Sequence, residues 1–228
     1  MSSVAIITAR GGSKRIPRKN IKPFMGKPML CYAIEAALGS RLFDEVMVST
    51  DDEEIAAIAK GAGAAVPFMR SEATANDFAT TRDVLLEVLG EYGKRERAFD
   101  WFSCIYPCVP FLTSQLLADA FKAFSSSEGE SLMPVVKYSF PIQRAVRVNA
   151  TGFLEYREPE NAPKRSQDLE PTYHDVGMFY FYRTKGFVSG NQMRMVPFEM
   201  PEERIQDIDT LEDWQLAEMK YRLINDRV

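Results

Sequence analysis

Histidine and cysteine are scarce: His174 stands alone, and Cys31, Cys104 and Cys108 make an odd set. Neither a disulfide framework nor a structural zinc site, which takes about four nitrogen or sulfur ligands, can be assembled from them. No window approaches the ~20 consecutive apolar residues that a membrane-spanning helix requires, and no internal repeat or low-complexity tract is present. Excess basic charge is also missing, since 28 Lys and Arg against 32 Asp and Glu leave a formal charge of −4. That balance argues against nucleic acid as the main partner, although a local basic cluster can still hold a phosphate. The apolar run at residues 4–9 is followed by Arg10, the reverse of a signal peptide's order. The expected setting is a reducing cytoplasm, with neither nucleic acid nor membrane as partner.

What is present is a chain of 228 residues, 46% hydrophobic, enough for one domain with a real core. The pattern alternates. Short apolar runs at 4–9, 46–49, 65–68, 101–106 and 132–136 read as strands, and 177–183 reads as an aromatic one. Between them lie helical stretches: 28–37 opened by Pro28, one capped by Asp51 with Glu54, one over 81–92, and an apolar stripe from Leu116 to Phe124. Thr210 and Asp213 cap a last helix with Leu211, Trp214, Ala217, Tyr221 and Ile224 inside. Such an order predicts an α/β fold: a Rossmann-like, mostly parallel sheet with helices on both faces and ligands at the carboxyl ends of the strands. The rhythm breaks at about 139–175, which holds one hairpin around an Asn-Ala-Thr-Gly turn. An excursion of that length inside one domain is a functional segment or an interface.

The most informative stretch is Arg10-Gly11-Gly12-Ser13-Lys14-Arg15-Ile16-Pro17-Arg18-Lys19-Asn20, with five cations in eleven residues directly after a strand. Glycine lets backbone N–H groups approach an anion, and Lys and Arg add charge and forked donors. A triphosphate suits that combination; a solvated basic turn is the plainer alternative. The loop is neither a Walker loop nor a GxGxxG dinucleotide loop, which leaves a dehydrogenase without its fingerprint.

This motif resembles the nucleotide signature of the CMP-sialic acid and CMP-KDO synthetases. The likeness continues through Gly26-Lys27-Pro28-Met29, residues 43–51 and residues 66–70. It implies that Arg10, Gly11, Gly12, Ser13, Lys14, Lys19 and Asn20 bind CTP. It also implies that the loop from Arg70 to Thr81 contacts cytosine and ribose, which nominates Arg70, Asp77 and Thr81. For Thr81 a helix cap is an equally good reading.

Ile205-Gln206-Asp207-Ile208-Asp209-Thr210 sets two carboxylates two residues apart, on one face if the segment is extended. Read on spacing alone, Asp209 or Thr210 caps the last helix and Asp207 is exposed. The resemblance implies instead that Asp207 and Asp209 hold Mg²⁺, and makes them, with Lys14 and Lys19, the candidate catalytic residues. On the sugar side the resemblance places Arg165, Gln143, Arg144 and His174 near the acid sugar, Arg165 gripping its carboxylate. His174 is open to a purely structural reading, and Cys104 and Cys108 read as core and pocket wall. Tyr106-Pro107-Cys108-Val109-Pro110 stands where the family carries a Gln-Pro-Thr motif, which leaves the cytidine contacts there unassigned. Residues 140–144 with 166–175 look like the pseudaminic acid branch. The expected reaction is CTP plus a nine-carbon keto acid giving CMP-sugar and pyrophosphate, in a homodimer built through the excursion. The alternatives are sialic, legionaminic or KDO activation, or a catalytically silent regulatory homologue.

Overall fold

Alternating side chains along each central strand face two separate apolar layers, and this makes the sheet. Val4 and Ile6 join one core with Met47, Phe102, Cys104 and Tyr180, while Ala5 and Ile7 join the other with Val46, Val48, Ile105 and Phe181. Strands buried on both faces are the mark of a sheet covered by helices on each side. A computed structural model describes residues 1–225.

The chain runs β1 (Ser3–Thr8), a short pair β2 (Pro23–Phe24) and β3 (Lys27–Pro28), α1 (Met29–Ser40), β4 (Glu45–Ser49) and α2 (Glu53–Gly61). It continues through α3 (Glu72–Ala75), α4 (Thr81–Gly93), β5 (Trp101–Ile105), α5 (Ser114–Ser125) and β6 (Ser131–Lys137). The excursion carries the hairpin β7 (Val146–Val148) and β8 (Leu154–Tyr156). β9 (Tyr173–Asp175), β10 (Phe179–Arg183), α6 (Thr184–Ser189), β11 (Met195–Glu199) and α7 (Leu211–Asn225) complete it. The main sheet has the order β11-β6-β10-β5-β1-β4, with β9 also on β6. Strands β1, β4, β5, β6 and β11 point one way and β9 and β10 the other, so the sheet is mostly parallel. Helices α1, α5 and α7 cover one face, and α4 and α6 the other.

Several elements differ from the sequence reading. Residues 65–68 form only a bridge, Ala65 to Met47, because Pro67 has no N–H with which to continue a ladder. Asp52, not Asp51, caps α2, its Oδ1 accepting from Glu54 N and Ile55 N at 3.0 Å each. The cap of α4 is Thr80, in a reciprocal box with Asp83, which leaves Thr81 as the first helical residue. The excursion does not stay apart to its end, since β9 pairs with β6. β9 and β10 are two pieces of one strand. Val135 pairs with Asp175 but Leu132 with Phe181, so three residues along β6 face six along its neighbour. The surplus is a bulge at residues 176–178, where Gly177 takes a left-handed φ of 66°.

Candidate functional site

The basic loop leaves β1 at Thr8 and is pinned before it reaches α1. Gly11 N donates to Asp51 Oδ1 at 2.9 Å, and a Cβ on Gly11 would lie 2.9 Å from Asp52 Oδ2, so glycine is required by close approach. Arg18 sits at φ 56° and pairs with Asp52 and Glu54, tying the loop to the start of α2. That pairing, Arg18 donating first among its causes, holds the Asp52 carboxyl below its ordinary range. Buried Asn20 staples the loop to itself: its Nδ2 donates to Arg10 O at 2.8 Å, and its Oδ1 accepts from Cys108 Sγ at 3.2 Å. Cys108 therefore works through Asn20, and burial pushes its thiol up to about 12.

A cavity of about 500 Å³ opens on this loop at the carboxyl ends of β1 and β5. Arg10, Gly12, Ser13, Lys14, Lys19, Asn20, Arg70, Asp77, Thr81 and Asp209 all line it. Gly11 does not; its N–H is taken by Asp51. Arg70 is buried, with Nε on Ser49 Oγ at 3.0 Å and Nη2 on Ser49 O at 2.7 Å, and desolvation lowers its pKa. Asp77 lies between Arg10 and Lys14 and bonds both. Arg15 Nη1 reaches Asp209 Oδ2 at 2.7 Å, and Lys19 Nζ donates to Ile208 O at 2.7 Å.

A second cavity of about 790 Å³ adjoins the first. Tyr106, Lys137, Tyr138, His174, Asp175, Tyr180, Gln206, Asp207 and Lys220 are among its walls. Asp175 is fixed from two sides, by Gly177 N at 2.8 Å and Tyr180 Oη at 2.7 Å, so the bulge positions a carboxylate. Burial, reinforced by that bond, raises the Tyr180 phenol. The His174 ring lies 4.8 Å from that of Tyr138, with Nδ1 2.9 Å from Asp175 O. Residues 205–209 form the partition between the cavities: Asp209 faces the first and Asp207 the second, and both act on the Cys108 thiol. Lys220 Nζ on Ile205 O at 2.8 Å and Lys19 on Ile208 O hold its two ends. Tyr106 completes the partition, its Oη 3.4 Å from Thr81 Oγ1.

The profile of one family, described as cytidylyltransferase, matches residues 4–211. The chain belongs to the cytidylyltransferase family. Among similar curated proteins, the pseudaminic acid cytidylyltransferase of Campylobacter jejuni serotype O:2 is 36% identical over 226 residues, 98% of this chain and 97% of that protein. The CMP-N,N'-diacetyllegionaminic acid synthase of Legionella pneumophila is 31% identical, covering 96% and 95%. Among solved structures, a CMP-2-keto-3-deoxy-manno-octonic acid synthetase complexed with CTP superposes with a TM-score of 0.70 over 99% of this chain and 100% of that one. At 20% identity this last likeness carries the fold alone.

Within this cytidylyltransferase, three sugar-side candidates do not reach either cavity. Arg165 makes a two-pronged pair with Asp168 at 2.7 and 3.0 Å, Arg144 Nη1 lies 3.4 Å from Ser166 Oγ, and Gln143 Nε2 donates to Glu170 O. All three stay within the excursion. His174 does line the second cavity. Residues the sequence did not nominate also stand in the walls: Thr8, Arg15, Thr74, Asn76 and Pro107 in the first, Lys137, Asp175 and Lys220 in the second. A signal existed for Thr8 and Pro107, which sit at or just past strand carboxyl ends. None existed for Lys220, brought in by a helix at the far end of the chain.

Proposed function

We propose that this cytidylyltransferase transfers the cytidylyl group of CTP to a nonulosonic acid, pseudaminic acid, with release of pyrophosphate. The observation that carries the reading is the pair of adjoining cavities, one rich in cations and the other in mixed polar groups and aromatics, parted by Asp207 and Asp209. The choice of sugar rests on the likeness to the Campylobacter jejuni protein over nearly the whole of both chains.

CTP would lie in the first cavity, its phosphates received by Arg10, Ser13, Lys14 and Lys19 and its nucleoside by Arg70, Thr81 and the wall beside them. The acid sugar would take the second cavity, with His174 as a contact and with Lys137 and Lys220 as its cations. The anomeric oxygen attacks the α-phosphorus, the bond to the β-bridging oxygen breaks, and the hydroxyl proton passes to a carboxylate at the partition. Such a transfer asks the protein mainly for positioning and charge neutralisation.

Mg²⁺ fits the donors available. Among the described residues no group of three or more His, Cys, Asp or Glu can hold a metal, while two carboxylates stand at the partition. A pair of hard oxygens supplemented by phosphate oxygens and water is what Mg²⁺ accepts. Bound by Asp207 and Asp209, it would offset charge at the α-phosphate. Arg15 at 2.7 Å and Lys19 at 3.4 Å pair with the two oxygens of Asp209 and tie that carboxylate to the basic loop.

The excursion is proposed as a homodimer interface, and in such a dimer Arg165, Arg144 and Gln143, which reach neither cavity of their own chain, would serve the sugar cavity of the second copy. Its hairpin exposes Val148, Phe153 and Leu154, apolar groups that a second copy would cover. No helix among the described residues is long and apolar enough to cross a membrane.

The test is pyrophosphate release from CTP and Mg²⁺ with pseudaminic, legionaminic, N-acetylneuraminic and KDO acids in parallel. Selective turnover of pseudaminic acid is expected. Preference for another acid would keep the chemistry and replace the sugar. CTP binding without release from any of the four would favour a silent homologue.

A further inference from the structure

All five cations of the basic loop are matched by carboxylates, Arg15 and Lys19 by Asp209 at the partition and the other three in two further ways. Arg18 is held by Asp52, which also caps α2 and approaches Gly11, so the pair is part of the framework. Asp77 is different. Its Oδ1 accepts from Arg10 Nη1 at 2.9 Å and its Oδ2 from Lys14 Nζ, and among the described residues its carboxylate has no other partner. Arg10, Lys14 and Asp77 all line the first cavity. An anion that enters to take these two ammonium and guanidinium groups must therefore take them from Asp77.

The segment bearing Asp77 is built to yield them. Asn76 Oδ1 accepts from Phe78 N and Ala79 N at 2.9 and 3.0 Å, and its Nδ2 donates to Ala73 O at 2.9 Å, closing a turn that holds its own shape. At the tip Phe78 is 94% exposed, so its ring does not pack the turn against the body, and besides the Asp77 pairs Arg10 Nη1 reaches the turn through a long bond of 3.3 Å to Asn76 O. The Asp77 side chain is itself 43% exposed, and water can solvate it once it lets go. Its two partners, Lys14 foremost, lower its pKa, so it carries charge throughout the neutral range.

We propose that Asp77 is an internal competitor for the phosphate-binding cations: it yields Arg10 and Lys14 when the triphosphate of CTP binds and recaptures them as pyrophosphate leaves. The role rests on the reading of this cavity as the triphosphate site. It differs from the ribose or cytosine contact that family resemblance suggests for the same residue. As a competitor Asp77 opposes phosphate binding; as a nucleoside contact it would favour CTP. Asp77 would be a positioning residue that sets the occupancy of two cations and eases product departure.

Titration calorimetry on the full chain, with inorganic triphosphate, pyrophosphate and CMP as separate probes, distinguishes these roles. For Asp77→Asn, triphosphate and pyrophosphate should bind about three- to tenfold more tightly, the size expected of solvent-screened ion pairs. CMP affinity should be unchanged, Asp77→Glu should return triphosphate affinity toward wild type, and the gain should shrink as salt rises. In steady state, pyrophosphate should become the stronger product inhibitor by the same factor. Unchanged or weaker triphosphate binding by a folded Asp77→Asn variant overturns the proposal, and a loss confined to CMP and CTP restores the nucleoside contact. If wild type binds CTP but not inorganic triphosphate, and Arg10→Ala leaves CTP affinity intact, the triphosphate lies elsewhere. Both the siting and the proposal then fall.

Discussion

Asp209, in the wall of the first cavity, and Cys108, behind that wall on Asn20, show how one site asks different things of single side chains. Asp209 accepts from Arg15 on one oxygen and from Lys19 on the other, so its charge is offset by the basic loop. Asp209→Asn should remove turnover while leaving the thermal midpoint within a few degrees of wild type, because the side chain is partly exposed and caps no helix. Activity near normal in that variant would remove Asp209 from the reaction. Cys104 is buried and Cys108 half-buried, and desolvation raises each thiol to about 12 from an ordinary 9.0. A raised acid favours the folded state below its unfolded value, and that contribution is lost as pH climbs. Stability to urea should therefore fall between about pH 9 and 12, less so in a Cys104→Ala, Cys108→Ser double variant; equal slopes would show that the thiols do not contribute.

At the scale of elements, the site depends on where helices begin. Thr80 and Asp83 cap α4 reciprocally, and this sets Thr81 against Tyr106 at the cavity wall. Thr80→Ala should cost about 1 kcal/mol of stability, the usual worth of such a cap, and should raise KM for CTP more than it lowers kcat. Unaltered KM alongside lost stability would separate the helix start from nucleotide binding. The same element shows what local pattern can and cannot tell. A threonine opening α4 was legible, but Thr80 and Thr81 offer the same hydroxyl to the same helix, and only the backbone path decides which one caps. Asp51 and Asp52 pose the identical ambiguity at α2, resolved because Asp51 is taken by Gly11 N. The strand expected at 65–68 failed on one residue, Pro67, and β11, with alternating burial at the sheet edge, had too weak a period to be noticed.

At the scale of the whole molecule, the excursion bears apolar side chains on a hairpin that nothing among the described residues covers: Phe153 and Leu154 are each 71% exposed. Replacing both by aspartate should convert the proposed dimer to a monomer in sedimentation velocity and reduce kcat/KM for the sugar acid more than for CTP. A wild-type chain that sediments as a monomer would remove the interface. The strand-helix alternation and the place of the basic loop after the first strand were legible in the sequence itself, because each is contiguous and follows from neighbours within one or two turns of chain. The Asp-x-Asp pair was visible only as a spacing whose metal role rested on the resemblance. What only the tertiary structure decided is which distant groups share a cavity. Lys220 reaches the second cavity from α7, Asp77 meets Arg10 and Lys14 across more than sixty residues, and Arg165 turns to Asp168 instead of into either cavity. Those pairings depend on how helices and loops pack over the sheet, a set of long-range contacts that no local periodicity encodes.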